Sequence, residues 1–185
     1  MQTDPTAAAG GTPLSRDQQL AYRYALASKD MEEAIDYLDS YAHLSKLHEV
    51  DDNPQWAKAC HGLLCAAIVA YCRPFLDSRS EGFATKKLPI TQIQAIKGQK
   101  ALHQLLIEKR NTFIAHADWS ARSVQLTQVS QSTTTWDFAH PLVWDGLDVG
   151  QVRPLVEAVR RDCIRKAMAK AQVAHAIKPN PAWDR

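Results

Sequence analysis

Residues 54–73 read PQWAKACHGLLCAAIVAYCR, a run that is apolar on nearly every side when it is wound into a helix. A helix of that kind is normally buried at the centre of a bundle. Its start is marked by Asn53, a preferred cap residue, and by Pro54, whose missing N–H costs nothing in the first turn. Pro74 ends the run. The sequence therefore predicts a helical bundle built around this segment.

Residues 16–50, on the N-terminal side of this run, also have helical periodicity. Ser15 is a candidate N-cap for a helix that begins at Arg16. Asp30 and Glu33 have the spacing of a capping box, which is typical of a second helix start or a kink. One long helix and two shorter ones are both consistent with the pattern.

Two more helices are predicted on the C-terminal side, over residues 94–117 and from Val152 to Ile177. The second of these takes Pro154 in its first turn, where proline is tolerated. Its basic residues are expected to form a solvated face, with ion pairs between Glu157 and Arg161 and between Asp162 and Lys166, rather than a track for RNA.

The segments between the helices complete the expected architecture. Residues 74–92 are predicted to be a long surface loop, and alternation over 122–130 followed by 135–138 predicts a small hairpin. We expect residues 1–13 to be a disordered lead-in, residues 14–178 to form one domain and residues 179–185 to be a tail. The predicted fold class is all-α, a helical bundle with a small β-hairpin insertion before the last helix.

Composition narrows the class of protein. The chain has 185 residues, enough for one domain, and a formal net charge of +2, which argues against a polyanion binder held by bulk charge. Three of the four cysteines lie on one predicted helix, a usage typical of a reducing compartment. No apolar run approaches the roughly 20 residues of a membrane-spanning helix, and no secretory signal is seen. We therefore expect a cytoplasmic location and no membrane partner.

No cofactor or metal is expected. His61, Cys65 and Cys72 fall on one face of the central helix, but Cys72 lies about 10 Å beyond Cys65 along the axis, too far for one ion. Small residues packed in a core helix are the better interpretation. The sequence also lacks a glycine-rich phosphate loop and a nucleophile elbow.

The candidate chemistry lies in residues 108–118, EKRNTFIAHAD, which place Arg110 and Asn111 ahead of His116. RNA is cut without metal when its own 2′-hydroxyl attacks the neighbouring phosphate. Histidine suits proton transfer near neutral pH, and arginine suits the crowded phosphate charge. Asn111 would position a partner by hydrogen bonding. The competing interpretation is a helix-end salt bridge that joins Arg110 to Glu108 and Asp118.

Helical geometry limits what one copy of this motif can do. Residues six apart on a helix lie about 120° apart around the axis and roughly 9 Å along it. Arg110 and His116 of one chain therefore converge poorly on a single atom. Two copies across a two-fold axis would form a composite cleft, and a two-fold dimer is the commonest oligomer.

The sequence Arg-Asn-Thr-Phe-Ile-Ala-His-Ala-Asp, residues 110–118, resembles the motif of HEPN domains, small helical proteins of prokaryotic toxin–antitoxin, abortive-infection and CRISPR systems. That motif is arginine, a polar residue, and histidine after four to six intervening residues, which Arg110, Asn111 and His116 match. The resemblance implies a dimeric helical bundle with a metal-independent ribonuclease site, an RNA substrate and a possible antitoxin protein as partner. Many members of the family are non-catalytic, so a dimerisation or interaction module is the alternative expectation.

Overall fold

The structure, a computed structural model, describes residues 15–50, 54–76, 78–80, 83–85, 87–115, 123–130, 133–139 and 146–176. Its helices are α1 (Arg16–Val50), α2 (Pro54–Cys72), α3 (Gln94–Gly98), α4 (Lys100–Lys109) and α5 (Val149–Ala176). The part of the chain whose side chains are described is all-α. The predicted lead-in over 1–13 and the predicted tail over 179–185 lie outside the described residues.

Helix α1 is one continuous helix, which decides between the one long helix and the two shorter ones that the sequence allowed. Its core residues follow each other at spacings of three and four, which gives one uninterrupted apolar stripe; they are Tyr24, Ala27, Met31, Ala34 and Leu38. Ser15 caps the helix as predicted: its Oγ accepts from the Gln18 N–H at 3.3 Å, and Gln18 Oε1 accepts from the Ser15 N–H at 2.8 Å.

Asp30 and Glu33 have a tertiary role instead of a capping role. Both carboxylates accept hydrogen bonds from the Arg73 guanidinium, at the end of α2. Arg73 lies in a short 3₁₀ turn, Arg73–Phe75, that follows α2 directly. The hydrogen bond from Arg73 lowers the pKa of Glu33. The capping-box spacing in the sequence thus reflects two acids on the side of α1 that faces Arg73.

Helices α1, α2 and α5 supply most of the core, and α1 packs along both of the others. Helix α2 buries one face, where Leu64, Ile68 and Tyr71 are almost fully inaccessible. Its other face includes exposed Lys58 and Gly62, and α1 rather than α2 contacts both of the other long helices, so the predicted central position of α2 is wrong. Four basic residues of α5 pair with acids in the structure, as follows: Arg153 with Asp39 and Glu157, Arg160 with Glu32, Arg165 with Asp162, and Lys170 with Asp17. The predicted pairs Glu157–Arg161 and Asp162–Lys166 do not form.

The start of α5 lies three residues earlier than predicted, because Asp148 caps it. The Gly150 N–H donates to Asp148 Oδ1 at 3.0 Å, and Gln151 Nε2 donates to Asp148 Oδ2 at 2.7 Å. Pro154 is consequently inside the helix rather than in its first turn. Further along, buried Asp162 accepts the Ala95 N–H at 3.0 Å and so joins α5 to the first turn of α3.

Two antiparallel strand pairs interrupt the helices. Strand β1 (Ser78–Ser80) pairs with β2 (Phe83–Thr85), inside the region predicted to be a loop. The Leu88 N–H donates to the Pro74 carbonyl at 2.8 Å, so the chain returns to the end of α2 after this excursion. Strand β3 (Ser123–Ser130) pairs with β4 (Thr133–Ala139), between the candidate motif and α5. No helix in the described residues is long and apolar enough to span a membrane.

The predicted helix over residues 94–117 is divided into three parts. Helix α3 ends at Gly98, where Gln99 leaves helical geometry with φ −132° and ψ 38°. Helix α4 follows, and the chain then widens into a π-helix, Arg110–Ala115, that carries the first half of the candidate motif. Each part is too short to show its own periodicity in the sequence, which explains the single helix that was predicted.

Candidate functional site around Arg110

The base of the candidate site is a buried contact between the end of α2 and α4. The Tyr71 hydroxyl lies 2.8 Å from His103 Nδ1, and the Phe75 ring meets the imidazole edge-on at 4.9 Å between centroids. His103 is 2% exposed, and burial lowers its pKa. Tyr71 precedes His103 by 32 residues, so no spacing rule for helices or strands predicts their contact. This contact aligns α4 on α2.

A second contact between these helices lies one turn closer to the motif. The Cys72 thiol donates to the Leu106 carbonyl at 3.6 Å. Burial raises the pKa of that thiol to about 12, while the positive charge of Arg110 opposes the rise. Arg110 therefore lies close enough to the end of α2 for its charge to act on the Cys72 thiol. His103, Leu106 and Arg110 are spaced at helical intervals of three and four, so one face of α4 leads from the buried histidine to the arginine.

The backbone changes from α-helical to π-helical geometry at Arg110. The Arg110 N–H is shared between the carbonyls of Leu106 and Ile107, and the first of these also accepts the Cys72 thiol. A hydrogen bond shared between two carbonyls weakens the regular α-helical pattern, and here it lies where the wider π-helix begins. π-Helical turns are rare and occur frequently at functional sites. The structure thus places the predicted Arg-Asn pair on an unusual piece of backbone.

The two motif residues that the structure describes are in direct contact. Arg110 Nη1 donates to Asn111 Oδ1 at 3.1 Å, and both side chains are half-buried. An acceptor on the neighbouring residue restricts the guanidinium to few orientations, which is what recognition of a phosphate requires. Lys109 precedes them and is only 6% exposed, so two consecutive cations stand at low exposure here. Sequence reasoning gave Lys109 no role.

His116, the third residue of the motif, lies outside the described residues, as does Asp118. The salt bridge that competes with the catalytic interpretation is therefore tested only at Glu108. Glu108 is exposed, and the structure contains no ion pair between Glu108 and Arg110. Within the described residues, the Arg110 guanidinium donates to Asn111 and not to Glu108.

Metal binding finds no support in the described part of the chain. No group of three histidine, cysteine or acidic side chains comes together there. All four cysteines are free, and burial raises the pKa of the Cys163 thiol to about 12, as it does for Cys72. A thiolate is the form that binds metal or attacks an electrophile, so these two buried thiols are poor candidates for either role.

Comparison with known proteins gives no assignment: no family model, curated protein or solved structure matches this chain. Function is therefore inferred from the chemistry of Arg110 and its neighbours.

Proposed function

We propose that this chain is a metal-independent endoribonuclease of the HEPN type, acting in prokaryotic defence or as a toxin. The contact between Arg110 and Asn111 carries the proposal, because it orients a half-buried cation on the helix where the motif requires one. The bundle of helices suits the architecture that the resemblance implies, with the hairpin of β3 and β4 as a small insertion before α5. The functional form is a homodimer in which two motifs share a cleft.

In the proposed reaction the 2′-hydroxyl oxygen of RNA bonds to the adjacent phosphorus, and the bond from phosphorus to the 5′-oxygen breaks. The products are a 2′,3′-cyclic phosphate and a 5′-hydroxyl. One copy of His116 takes the proton of the 2′-hydroxyl, and the other gives a proton to the leaving 5′-oxygen. Arg110 stabilises the additional negative charge on the phosphate oxygens, and Asn111 orients the guanidinium.

The test is cleavage of mixed RNA by the purified protein with EDTA present. Wild type is expected to cut, and Arg110→Ala and His116→Ala are each expected to reduce the rate by about 10²-fold or more. His43→Ala is the matched control for the histidine, since His43 is exposed on α1, and Arg153→Ala is the control for the arginine, since Arg153 is exposed on α5. Circular dichroism establishes that each variant is folded, and mass spectrometry of the fragments identifies the cyclic phosphate.

Retention of cleavage in both Arg110→Ala and His116→Ala would refute this site. Loss of all cleavage on addition of EDTA, with recovery when a divalent ion is restored, would refute the metal-independent mechanism.

The second candidate is a non-catalytic dimerisation or interaction module of the same type. It is favoured by the half-burial of Arg110 beside Cys72, since arginine is enriched at protein interfaces. Under this proposal RNA stays intact, and Arg110→Ala weakens self-association in sedimentation velocity. Arg153→Ala again serves as the control, because Arg153 is exposed on α5.

A further inference from the structure

The N-terminal part of α1 and the C-terminal part of α5 form one end of the bundle, here named the α1–α5 end and comprising residues 16–28 and 161–173. The two segments run antiparallel: Lys170 Nζ lies 2.8 Å from Asp17, and Lys166 Nζ lies 5.9 Å from the centroid of the Tyr24 ring. Most of the large apolar side chains that are exposed in the described residues lie at this end, and they are Tyr22, Leu26, Ile164, Met168 and Val173. Such a concentration marks an interaction surface.

The outer face of α5 presents an open, nearly flat surface at this end, formed by this one helix and called the groove below. Its lining residues recur at helical intervals and are Arg161, Ile164, Arg165, Met168, Ala169 and Gln172. All six are exposed, and Met168 shows 61% of its surface to solvent. The groove follows three turns of helix, about 16 Å along the axis. An apolar stripe of this length matches the apolar face of a helix laid against it.

Charge distinguishes this end from the rest of the chain. Residues 161–173 hold four basic side chains and one acidic one, whereas the whole chain has a net charge of only +2. Both acids of the α1–α5 end are already engaged, Asp17 with Lys170 and Asp162 with Arg165 and the Ala95 N–H. Arg161 has no ion pair within the described residues. The groove is therefore apolar along its centre, with one cation that is unpaired among the described residues, Arg161, at its rim. The α1–α5 end as a whole holds six basic and two acidic side chains, a net charge of +4.

We propose that the groove binds an amphipathic helix of another protein, one with an apolar stripe flanked by aspartate or glutamate. This inference is independent of the ribonuclease activity. A second copy of the chain fits less well, since a two-fold contact of this face with itself opposes like charges. Nucleic acid fits less well too, because Ile164 and Met168 offer its phosphates no partner.

The experiment uses the full chain and a fluorescein-labelled peptide of about 20 residues, with leucine at helical spacing and glutamate on both flanks. A peptide with lysine in place of glutamate is the charge control. We expect the acidic peptide to bind more tightly in fluorescence anisotropy. Met168→Gln should weaken binding by about tenfold, because a buried methionine contributes roughly that much. Leu47→Gln makes a similar change at an exposed site on α1, about 38 Å along the helix from Tyr22, and should leave binding unchanged.

Charge reversal provides the second variant. Arg161→Glu should weaken binding of the acidic peptide and strengthen binding of the lysine peptide. Equal binding of the two peptides to wild type, or wild-type affinity in Met168→Gln, would overturn the proposal. A dimer in sedimentation that only Met168→Gln dissociates would overturn it in favour of a second copy. RNA bound in a way that depends on Arg161 and ignores Met168 would overturn it in favour of nucleic acid.

Discussion

Tyr71→Phe is expected to destabilise the protein by more than the same substitution at an exposed tyrosine does. The Tyr71 hydroxyl lies 2.8 Å from His103 Nδ1, and His103 is 2% exposed. His103 Nε2 is buried and has no hydrogen-bond partner within the described residues. Removing the hydroxyl leaves both ring nitrogens without a partner, which costs about 1–3 kcal/mol. For a domain of this size, each kcal/mol lowers the melting temperature by about 2–4 °C.

Urea unfolding followed by circular dichroism measures this cost. Tyr22→Phe makes the same chemical change on an exposed tyrosine and should stay within about 0.5 kcal/mol of wild type. His103→Leu leaves the Tyr71 hydroxyl unpaired, whereas the double variant removes both partners. The double variant should therefore cost about 1–2 kcal/mol less than the sum of the two single changes. Strict additivity, or a Tyr71→Phe cost equal to that of Tyr22→Phe, would refute the role assigned to this contact.

Two further predictions concern buried polar groups. Burial lowers the pKa of His103 below its ordinary 6.5, so the unfolded chain binds the proton more readily than the folded one. The free energy of unfolding should therefore fall as the pH drops below about 6.5, by at most about 1.4 kcal/mol per pH unit. Urea midpoints measured between about pH 5 and pH 8 should show this fall in stability in wild type and not in His103→Leu. Asp162→Ala should cost about 1–3 kcal/mol, because the buried carboxylate accepts the Ala95 N–H, whereas Arg165→Ala removes only the exposed partner and should cost less than about 1 kcal/mol. Equal costs for the two substitutions in urea unfolding would contradict this assignment.

Local signals predicted the elements whose ends are set by neighbouring residues. Ser15 and Gln18 cap α1 as the sequence indicates, and Pro54 begins α2. The start of α5 was predicted three residues late, although its cap, Asp148, is a neighbour in the sequence. Asp30 and Glu33 resembled a cap in the sequence, yet they face Arg73, 40 or more residues away.

The candidate site, too, was predicted from the sequence only in part. The identities of Arg110 and Asn111 and their adjacency come from sequence, as does the chemistry they are able to perform. The π-helical backbone under them, and the contacts of Tyr71 with His103 and of Cys72 with Leu106, could not be predicted. Each of these two contacts joins residues of two helices that are more than 30 positions apart in the sequence.

Sequence by itself thus determined that this protein is a bundle of helices, because apolar periodicity and proline positions act within a few residues. The tertiary structure alone decided how α1 pairs with α5, where the helix before the motif divides, and which groups hold Arg110 against α2. These features depend on burial and on hydrogen bonds between residues that only the folded chain brings together. Their partners leave no periodic signal in the order of amino acids.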